Sequence, residues 1–340
     1  MAALENGYNG LAYSSGMAAI HGICQLLNHG DHIIASADIY GGTYRLFHKV
    51  LSKFNITTTL VDTRDLEAVA RAFRPNTRLL WVESIGNPRM TVSPIDSLAE
   101  LVKRKNCLLG VDNTFASPAI CRPLLLGADI VMHSATKYLG GHSDLLGGVV
   151  VAKSQEIYDE LYFYQNAIGS VMSPFDSFLC HRGIKTLYVR IKQQSASAKK
   201  VADFLLQHPK VEQVFYPGVA SHPDHRTARN QFQEGFGGIL SFQLKSNRIE
   251  DGEVLSKSTK LFARAVSVGA VESLIEQPAT MSHASYDSFA RKKWGISDGL
   301  IRLSIGLEDS EDLICDLANA LDAIYSSEKE EPIAYSQAMV

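Results

Sequence analysis

The lysine with the most reactive surroundings is Lys137, which stands between the hydroxyl residues Ser134 and Thr136 on one side and a Gly-Gly turn on the other. Hydroxyl groups and the free backbone N–H groups of such a turn together suit a phosphate. A lysine amine in this position forms a Schiff base with a carbonyl compound when its pKa is lowered. The segment therefore predicts a covalent carbonyl site beside a phosphate site. The alternative is a surface lysine in a polar turn.

Two charged residues adjoin or interrupt apolar runs and need partners of opposite charge. Asp112 follows the apolar run 108–111, where a buried acid is costly unless it has a partner. A protonated ring nitrogen is one such partner, and a structural or helix-capping role is the alternative. Arg302 lies within the apolar run 300–305, where a guanidinium suits either a substrate carboxylate or a structural salt bridge.

Two turns near the start of the chain carry groups that suit a bound cofactor. Gly16 and Met17 open a predicted helix, where free N–H groups bind a phosphate; an ordinary helix cap is the alternative. Tyr40 precedes two glycines, so its ring can stack on a planar cofactor or pack in a helix-entry turn. Pyridoxal phosphate (PLP) uses all of these groups in its enzymes, namely an amine, a buried acid, a phosphate cradle, a stacking ring and a carboxylate clamp.

The elements that position these residues alternate along the first half of the chain. Short apolar runs and amphipathic helical patterns follow one another, which predicts a mostly parallel sheet with helices on its faces. In such a sheet, ligands bind at the carboxyl ends of the strands. The predicted strands cover residues 32–35, 58–61, 79–82, 108–111, 130–133 and 148–152.

The pattern changes after a long predicted helix over 184–207. Half-buried strands are predicted at 211–216, 238–244, 264–268 and 300–305, with helices at 252–261 and 309–324. We therefore predict a large α/β domain over 1–182, a smaller α+β domain with an antiparallel sheet over 183–326, and a solvated tail over 327–340.

Composition excludes several classes of protein. The chain has 340 residues, of which 46% are hydrophobic and 20% charged, and its net charge is -3. A nucleic-acid partner is not expected at this charge, and no apolar run is long enough to span a membrane. The opening segment lacks an export pattern and the five cysteines lie far apart, so we expect a cytoplasmic protein. His133 and His142 have no third ligand nearby, so no metal site is expected.

The sequence resembles the cystathionine/methionine-metabolism family of PLP-dependent enzymes from its first residues to about Ile324. The resemblance implies PLP fold type I, the aspartate aminotransferase-like fold, and a homotetramer built as a dimer of dimers. The motifs that carry it are Tyr40-Gly41-Gly42, Glu83-Ser84 with Asn87-Pro88, Val111-Asp112-Asn113-Thr114, Ser134-Ala135-Thr136-Lys137-Tyr138, Gly140-Gly141-His142-Ser143-Asp144 and Met281-Ser282-His283-Ala284-Ser285.

Carried over residue by residue, the resemblance implies a role for each candidate. Lys137 resembles the lysine that holds the cofactor covalently, and Asp112 resembles the acid that keeps the pyridine nitrogen protonated. Tyr40 resembles the ring that stacks on the cofactor and assists proton transfer. The phosphate ligands are matched by Gly16, Met17, Ser134 and Thr136. The contacts to the substrate carboxylate are matched by Asn87, Ser267 (through its backbone) and Arg302.

Members of this family divide the chemistry among γ-lyases, β-lyases, γ-synthases and methionine γ-lyases. The resemblance favours γ-elimination of L-cystathionine to L-cysteine, 2-oxobutyrate and ammonia, with cystathionine β-lyase or γ-synthase as alternatives. Gly42 stands where methionine γ-lyases commonly carry Cys. Val266 stands where typical cystathionine γ-lyases carry Glu, which leaves room for a β-lyase. Arg45 is expected to meet the distal carboxylate of cystathionine.

Family members also carry an N-terminal arm whose Tyr-x-Arg element grips the cofactor phosphate of the neighbouring subunit. The sequence starts with Met1-Ala2-Ala3-Leu4-Glu5, which matches the segment after that arm. We therefore expect weaker cofactor binding, because a charge-assisted contact of this kind contributes about 1.5–3 kcal/mol. A non-enzyme alternative is a subunit that only associates with chains carrying the arm.

Overall fold

The structure, a computed structural model, describes residues 1–282 and 295–326. Its larger sheet has seven strands, namely β1 (Asn9–Tyr13), β2 (His32–Ser36), β3 (Thr57–Val61), β4 (Thr77–Glu83), β5 (Leu108–Asp112), β6 (Ile130–Ser134) and β7 (Gly148–Ala152). They lie in the order β1-β7-β6-β5-β4-β2-β3. Strands β2 to β6 run parallel, whereas β7 is antiparallel to both β6 and β1. The carboxyl ends of β4, β5 and β6 therefore meet at one edge of the sheet.

Helices cover both faces of this sheet. They are α1 (Ala2–Glu5), α2 (Gly16–Cys24), α3 (Gly41–Arg45), α4 (Leu66–Ala72), α5 (Ile95–Lys103), α6 (Ser117–Ile120), α7 (Gln155–Ile168) and α8 (Pro174–Ile184). Short π and 3-10 turns occupy Leu46–Val50, Leu51–Phe54 and Ala135–Leu139. Along β2, Ile33 and Ala35 pack into one apolar cluster while Ile34 packs into the other. This burial on both faces explains why the parallel strands read as continuous apolar runs.

A second sheet follows in the last third of the chain. Its strands are β8 (Val211–Phe215), β9 (Ile239–Leu244), β10 (Ala263–Arg264), β11 (Leu274–Glu276) and β12 (Leu300–Ser304). They lie in the order β10-β11-β12-β9-β8, and every pairing except β10 with β11 is antiparallel. The helices around it are α9 (Leu187–Gln207), α10 (His225–Gln231), α11 (Ile249–Ser258) and α12 (Ser310–Ser326). An apolar cluster joins Leu205, Leu255, Leu317 and Phe242 from these elements.

The six strands predicted for the larger sheet are confirmed, with ends that differ by at most two residues. Strand β1 was not predicted, because its Asn-Gly start and half-exposed pattern hide an edge strand. The predicted helix over 184–207 begins only at Leu187, since α8 ends at Ile184 where Gly183 packs on the Gly140 carbonyl. A Cβ at Gly183 would lie 2.3 Å from that carbonyl oxygen.

The prediction of a strand over 264–268 is wrong. In this region only Ala263–Arg264 forms a strand, β10. Its neighbour in the second sheet is β11, which was not predicted. The chain leaves the sheet after Arg264 and passes the candidate site, where Val266 and Val268 line a cavity. The predicted tail over 327–340 lies outside the described residues, and the domain division at 182–183 stays a prediction. Within residues 1–282 and 295–326, no helix is long and apolar enough to cross a membrane.

Candidate active site

A cavity of about 430 Å³ opens at the carboxyl ends of β4, β5 and β6, beside the start of α2. It brings together candidates that lie far apart in the chain. Ten of the eleven predicted site residues line it, namely Gly16, Met17, Tyr40, Arg45, Asn87, Asp112, Ser134, Thr136, Lys137 and Arg302. Ser267, the eleventh, contacts two of these residues directly. The edge of the sheet that was expected to bind ligands is therefore the edge where the candidates meet.

Lys137 lies in the turn after β6, where its backbone has a non-helical conformation (φ -92°, ψ -128°). Its Nζ donates to Ser267 Oγ at 2.7 Å. Burial and the positive charge of Arg302 together lower the pKa of Lys137 to about 8, while the negative charge of Glu276 opposes the shift. A lysine with this pKa is partly neutral near neutral pH, so it can act as a nucleophile or a base.

Asp112 ends β5 and is 8% exposed. Its Oδ1 accepts from the Thr114 N–H at 3.0 Å. Burial raises the pKa of Asp112, and the hydrogen bonds from Thr114 and the charge of His133 act in the opposite direction. A buried acid of this kind is stabilised as a carboxylate when a cation, such as a protonated ring nitrogen, binds beside it.

The predicted phosphate cradle forms where α2 meets the turn after β6. Ser15 caps α2 by accepting from the Ala18 N–H at 3.0 Å, and the first N–H groups of the helix have no partner within the helix. A Cβ at Gly16 would lie 3.1 Å from Ser134 Oγ, so glycine keeps the space between helix and strand open. Thr136 Oγ1 lies on the same side and contacts the backbone of Gly147.

Tyr40 precedes α3, and its ring is 48% exposed and faces the cavity. Its N–H donates to Glu83 Oε1 at 2.6 Å. A Cβ at Gly42 would lie 2.4 Å from Tyr40 Cε1 and 2.8 Å from Met17 Sδ, so glycine at position 42 makes room for the ring. The exposed Arg45 stands one turn further along α3 and also lines the cavity.

Arg302 is buried at the centre of β12 and is held by four acceptors. Its Nη1 donates to Asn87 Oδ1 and lies close to Glu276 Oε1, both at 2.8 Å. Its Nη2 donates to the carbonyl oxygens of Val266 at 2.8 Å and Ser267 at 3.3 Å. Three of these contacts are hydrogen bonds, and the contact with Glu276 is an ion pair. Arg302 therefore combines the two roles that the sequence left open, because it forms a buried salt bridge and also lines the cavity where a substrate carboxylate could bind.

Glu276 is a site residue that the sequence did not single out. It pairs with Arg302 across β11 and β12, is 1% exposed, and accepts from Ser282 Oγ at 3.0 Å. Burial raises the pKa of Glu276, whereas the Arg302 charge lowers it. Glu276 follows the apolar pair Leu274 and Ile275, which could have indicated a buried acid, but this three-residue strand was itself missed. The motif residues after Ser282 lie outside the described part of the chain.

The donor set fits PLP. The start of α2 and the hydroxyls of Ser134 and Thr136 form a phosphate cradle that a side chain at Gly16 would fill. The buried Asp112 carboxyl can pair with a ring nitrogen, and Lys137, whose pKa is lowered, lines the same cavity. Among the described residues, no three His, Cys, Asp or Glu side chains are grouped to hold a metal ion. His133 instead pairs with the buried Glu5 at 2.6 Å, and His142 Nδ1 contacts the Gly140 carbonyl.

Comparison with known proteins agrees with this chemistry. A family model described as Cys/Met metabolism PLP-dependent enzyme matches residues 1–322. A cystathionine gamma-lyase of Bacillus subtilis (strain 168) is 49% identical over 94% of this chain and 84% of that protein. A cystathionine beta-lyase, MetC, of the same strain is 46% identical over 95% of this chain and 82% of that protein.

The fold agrees as well. The crystal structure of a cystathionine gamma-lyase from Lactobacillus plantarum complexed with L-serine superposes with a TM-score of 0.93 and 43% identity. The match covers 95% of this chain and 84% of that one. The predicted fold type I and the predicted cofactor are therefore confirmed, and the chain belongs to the Cys/Met-metabolism family of PLP-dependent enzymes.

Proposed function

We propose that this chain is a carbon–sulfur lyase that cleaves L-cystathionine by γ-elimination to L-cysteine, 2-oxobutyrate and ammonia. One observation carries the proposal: an amine of lowered pKa, a buried carboxyl and a buried guanidinium face a single cavity. Removal of the α-proton from an amino acid bound to PLP requires a base, a carboxyl that keeps the ring nitrogen of PLP protonated, and a cation that binds the carboxylate of the amino acid. Lys137, Asp112 and Arg302 are suited to these three tasks.

Substrate binding starts at Arg302. Because its terminal nitrogens already contact four oxygen atoms, we infer that an incoming carboxylate replaces some of them. The carbonyls of Val266 and Ser267 are the acceptors that lie on the segment between β10 and β11, whereas Glu276 is fixed within β11. We infer that the carboxylate displaces these carbonyls and keeps Asn87 and Glu276 behind the guanidinium. A bidentate contact of this kind fixes the orientation of the substrate.

Proton transfer falls to Lys137. When bound, PLP withdraws electrons from the bonds at the substrate α-carbon. The amine of Lys137 takes the α-proton and, for γ-elimination, also moves a β-proton. Ser267 Oγ lies 2.7 Å from Nζ and orients the amine while it is free. Asp112 holds the proton on the ring nitrogen, which is the charge that the electron withdrawal requires.

Tyr40 is suited to assist the departure of the sulfur. Its half-exposed ring lines the cavity, where it would stack on the cofactor and could protonate the departing thiolate. Arg45 extends from the same helix and is suited to the distal carboxylate of cystathionine. Both residues thus form an exposed part of the cavity wall.

The choice between γ- and β-elimination centres on Val266. Its side chain is 55% exposed and lines the cavity, so an apolar group replaces the carboxylate expected of typical γ-lyases. This supports cystathionine β-lyase as a second candidate, and γ-synthase chemistry would use the same residues with a second substrate. Both remain outcomes of the test below.

The test is to incubate the purified chain with PLP and L-cystathionine and to identify the keto acid. We expect 2-oxobutyrate, and pyruvate would instead establish β-elimination. Val266→Glu should raise the proportion of 2-oxobutyrate, with Val266→Ala as the matched control for loss of the side chain. If neither keto acid forms, the proposal fails, and a γ-synthase or a subunit that only associates with other chains is favoured.

We also propose that the enzyme assembles as a homotetramer in the cytoplasm. A band of exposed apolar side chains on α7 and α8 supports assembly, comprising Tyr162, Phe163, Ile168, Phe175 and Phe178. Exposed apolar surface of this extent is typical of an interface between subunits. Light scattering on the purified protein tests the assembly, and a monomer would contradict it.

The proposed location in the cytoplasm is supported by the five cysteines, which are all free, because free cysteines suit a reducing compartment.

A further inference from the structure

Glu83 is a second buried carboxyl beside Asp112. The two residues are register partners at the ends of the parallel strands β4 and β5, so their side chains leave the sheet next to each other. Both line the cavity, and Glu83 is 6% exposed. Asp38, in the loop before α3, is the third carboxyl of this group. Two buried carboxyls and the half-buried Asp38 at one place cannot all be charged without cations to compensate them.

The contacts decide which of the two strand-end carboxyls holds a proton. Asp112 is stabilised as an anion by the Thr114 N–H at 3.0 Å, by the Thr114 side chain and by the charge of His133. Among the described residues, Glu83 accepts only from the Tyr40 N–H, and no cationic side chain pairs with it. Arg64 acts on Asp38. Burial, together with the negative charges of Asp112 and Asp38, raises the pKa of Glu83 well above its usual range.

We propose that Glu83 is a positioning residue that works as a neutral carboxylic acid, holding the backbone of Tyr40 with its carbonyl oxygen and leaving Asp112 as the charged partner of the ring nitrogen. A charged Glu83 would disfavour the anion of Asp112, since like charges on register partners repel each other. A neutral Glu83 keeps the hydrogen bond to Tyr40 without that repulsion. The inference rests on the roles proposed for Tyr40 and Asp112.

Two substitutions separate a neutral role from a charged one. Glu83→Gln keeps a neutral carbonyl acceptor of the same length, whereas Glu83→Ala removes the acceptor from Tyr40. We expect Glu83→Gln to bind PLP with nearly the affinity and the pH dependence of the parent protein. Glu83→Ala should weaken PLP binding about tenfold, because the part-buried Tyr40 N–H loses its acceptor. Equal weakening in both variants, or an altered pH dependence in Glu83→Gln, would overturn the proposal.

A second measurement needs no cofactor and no turnover. The infrared spectrum of the cofactor-free protein at neutral pH should contain the carbonyl stretch of a protonated carboxylic acid that disappears in Glu83→Gln. Circular dichroism checks that both variants are folded. If the difference spectrum lacks this band, Glu83 is charged and the inference fails, even if the chain proves to be an active lyase. If the band is present and no keto acid forms, the proposed function fails while Glu83 is still neutral.

Discussion

Replacing Arg302 by leucine is expected to reduce both stability and substrate binding. Arg302 and Glu276 are 3% and 1% exposed, and their charged atoms lie 2.8 Å apart. Removing the guanidinium leaves the Glu276 carboxyl buried with Ser282 as its remaining polar contact among the described residues. Loss of one partner from a buried ion pair costs about 3–5 kcal/mol of unfolding free energy. Urea unfolding at a fixed protein concentration measures this loss.

The double variant Arg302→Leu/Glu276→Leu separates the two effects. Because apolar residues replace both charges, we expect most of the lost stability to return. Substrate binding should stay impaired, since the carboxylate still lacks its guanidinium. One charge-assisted contact contributes about 1.5–3 kcal/mol. At about 1.4 kcal/mol per factor of ten, KM for L-cystathionine should rise about 10- to 150-fold.

The assay follows keto acid release at several concentrations of L-cystathionine for the parent, the single variant and the double variant. Circular dichroism and PLP absorbance establish that each protein is folded and loaded. An unchanged KM in the double variant would place the carboxylate clamp elsewhere. A single variant as stable as the parent would show that Glu276 does not depend on Arg302 for its charge.

Three further predictions follow from the site. Asp112→Ala should reduce turnover to background while PLP still binds, as absorbance and keto acid release measure; near-normal rates would refute the role of Asp112. In the cofactor-free protein, the rate of Lys137 acylation should rise with pH with a midpoint near 8, because only the neutral amine reacts and its pKa is lowered. Mass spectrometry of the Lys137 peptide measures this rate, and a midpoint near the ordinary pKa of 10.5 would contradict the prediction. Gly42→Ala should weaken PLP binding by displacing the Tyr40 ring, whereas Gly41→Ala, whose nearest neighbour lies 3.8 Å away, should not.

The sequence predicted the meeting of Lys137, Asp112 and Arg302 from residue chemistry and strand ends. An acid at the end of an apolar run and a lysine after the next one lie on neighbouring parallel strands, so topology alone brings them together. Arg302 comes from the second sheet, and its place in the cavity follows from packing between the two sheets. The apolar run around it indicated burial, and burial of an arginine requires acceptors.

The acceptors themselves could not be predicted. Glu276 faces Arg302 through the register of a three-residue strand, and Ser267 meets Lys137 across 130 residues of chain. Such contacts depend on how the segment between β10 and β11 leaves the sheet, which no local pattern encodes. The contact between Glu83 and Tyr40 is of the same kind, since it joins a strand end to a loop 43 residues earlier.

The central claim is that Lys137 is the residue to which PLP binds covalently. Borohydride reduction of the PLP-loaded protein fixes the cofactor to its lysine, and peptide mass spectrometry then locates the modification. We predict a pyridoxyl group on the peptide that contains Lys137 and none on that peptide in Lys137→Ala, with the folded state checked by circular dichroism. Modification of a different lysine, or an unmodified Lys137 in protein that carries bound PLP, would contradict the account.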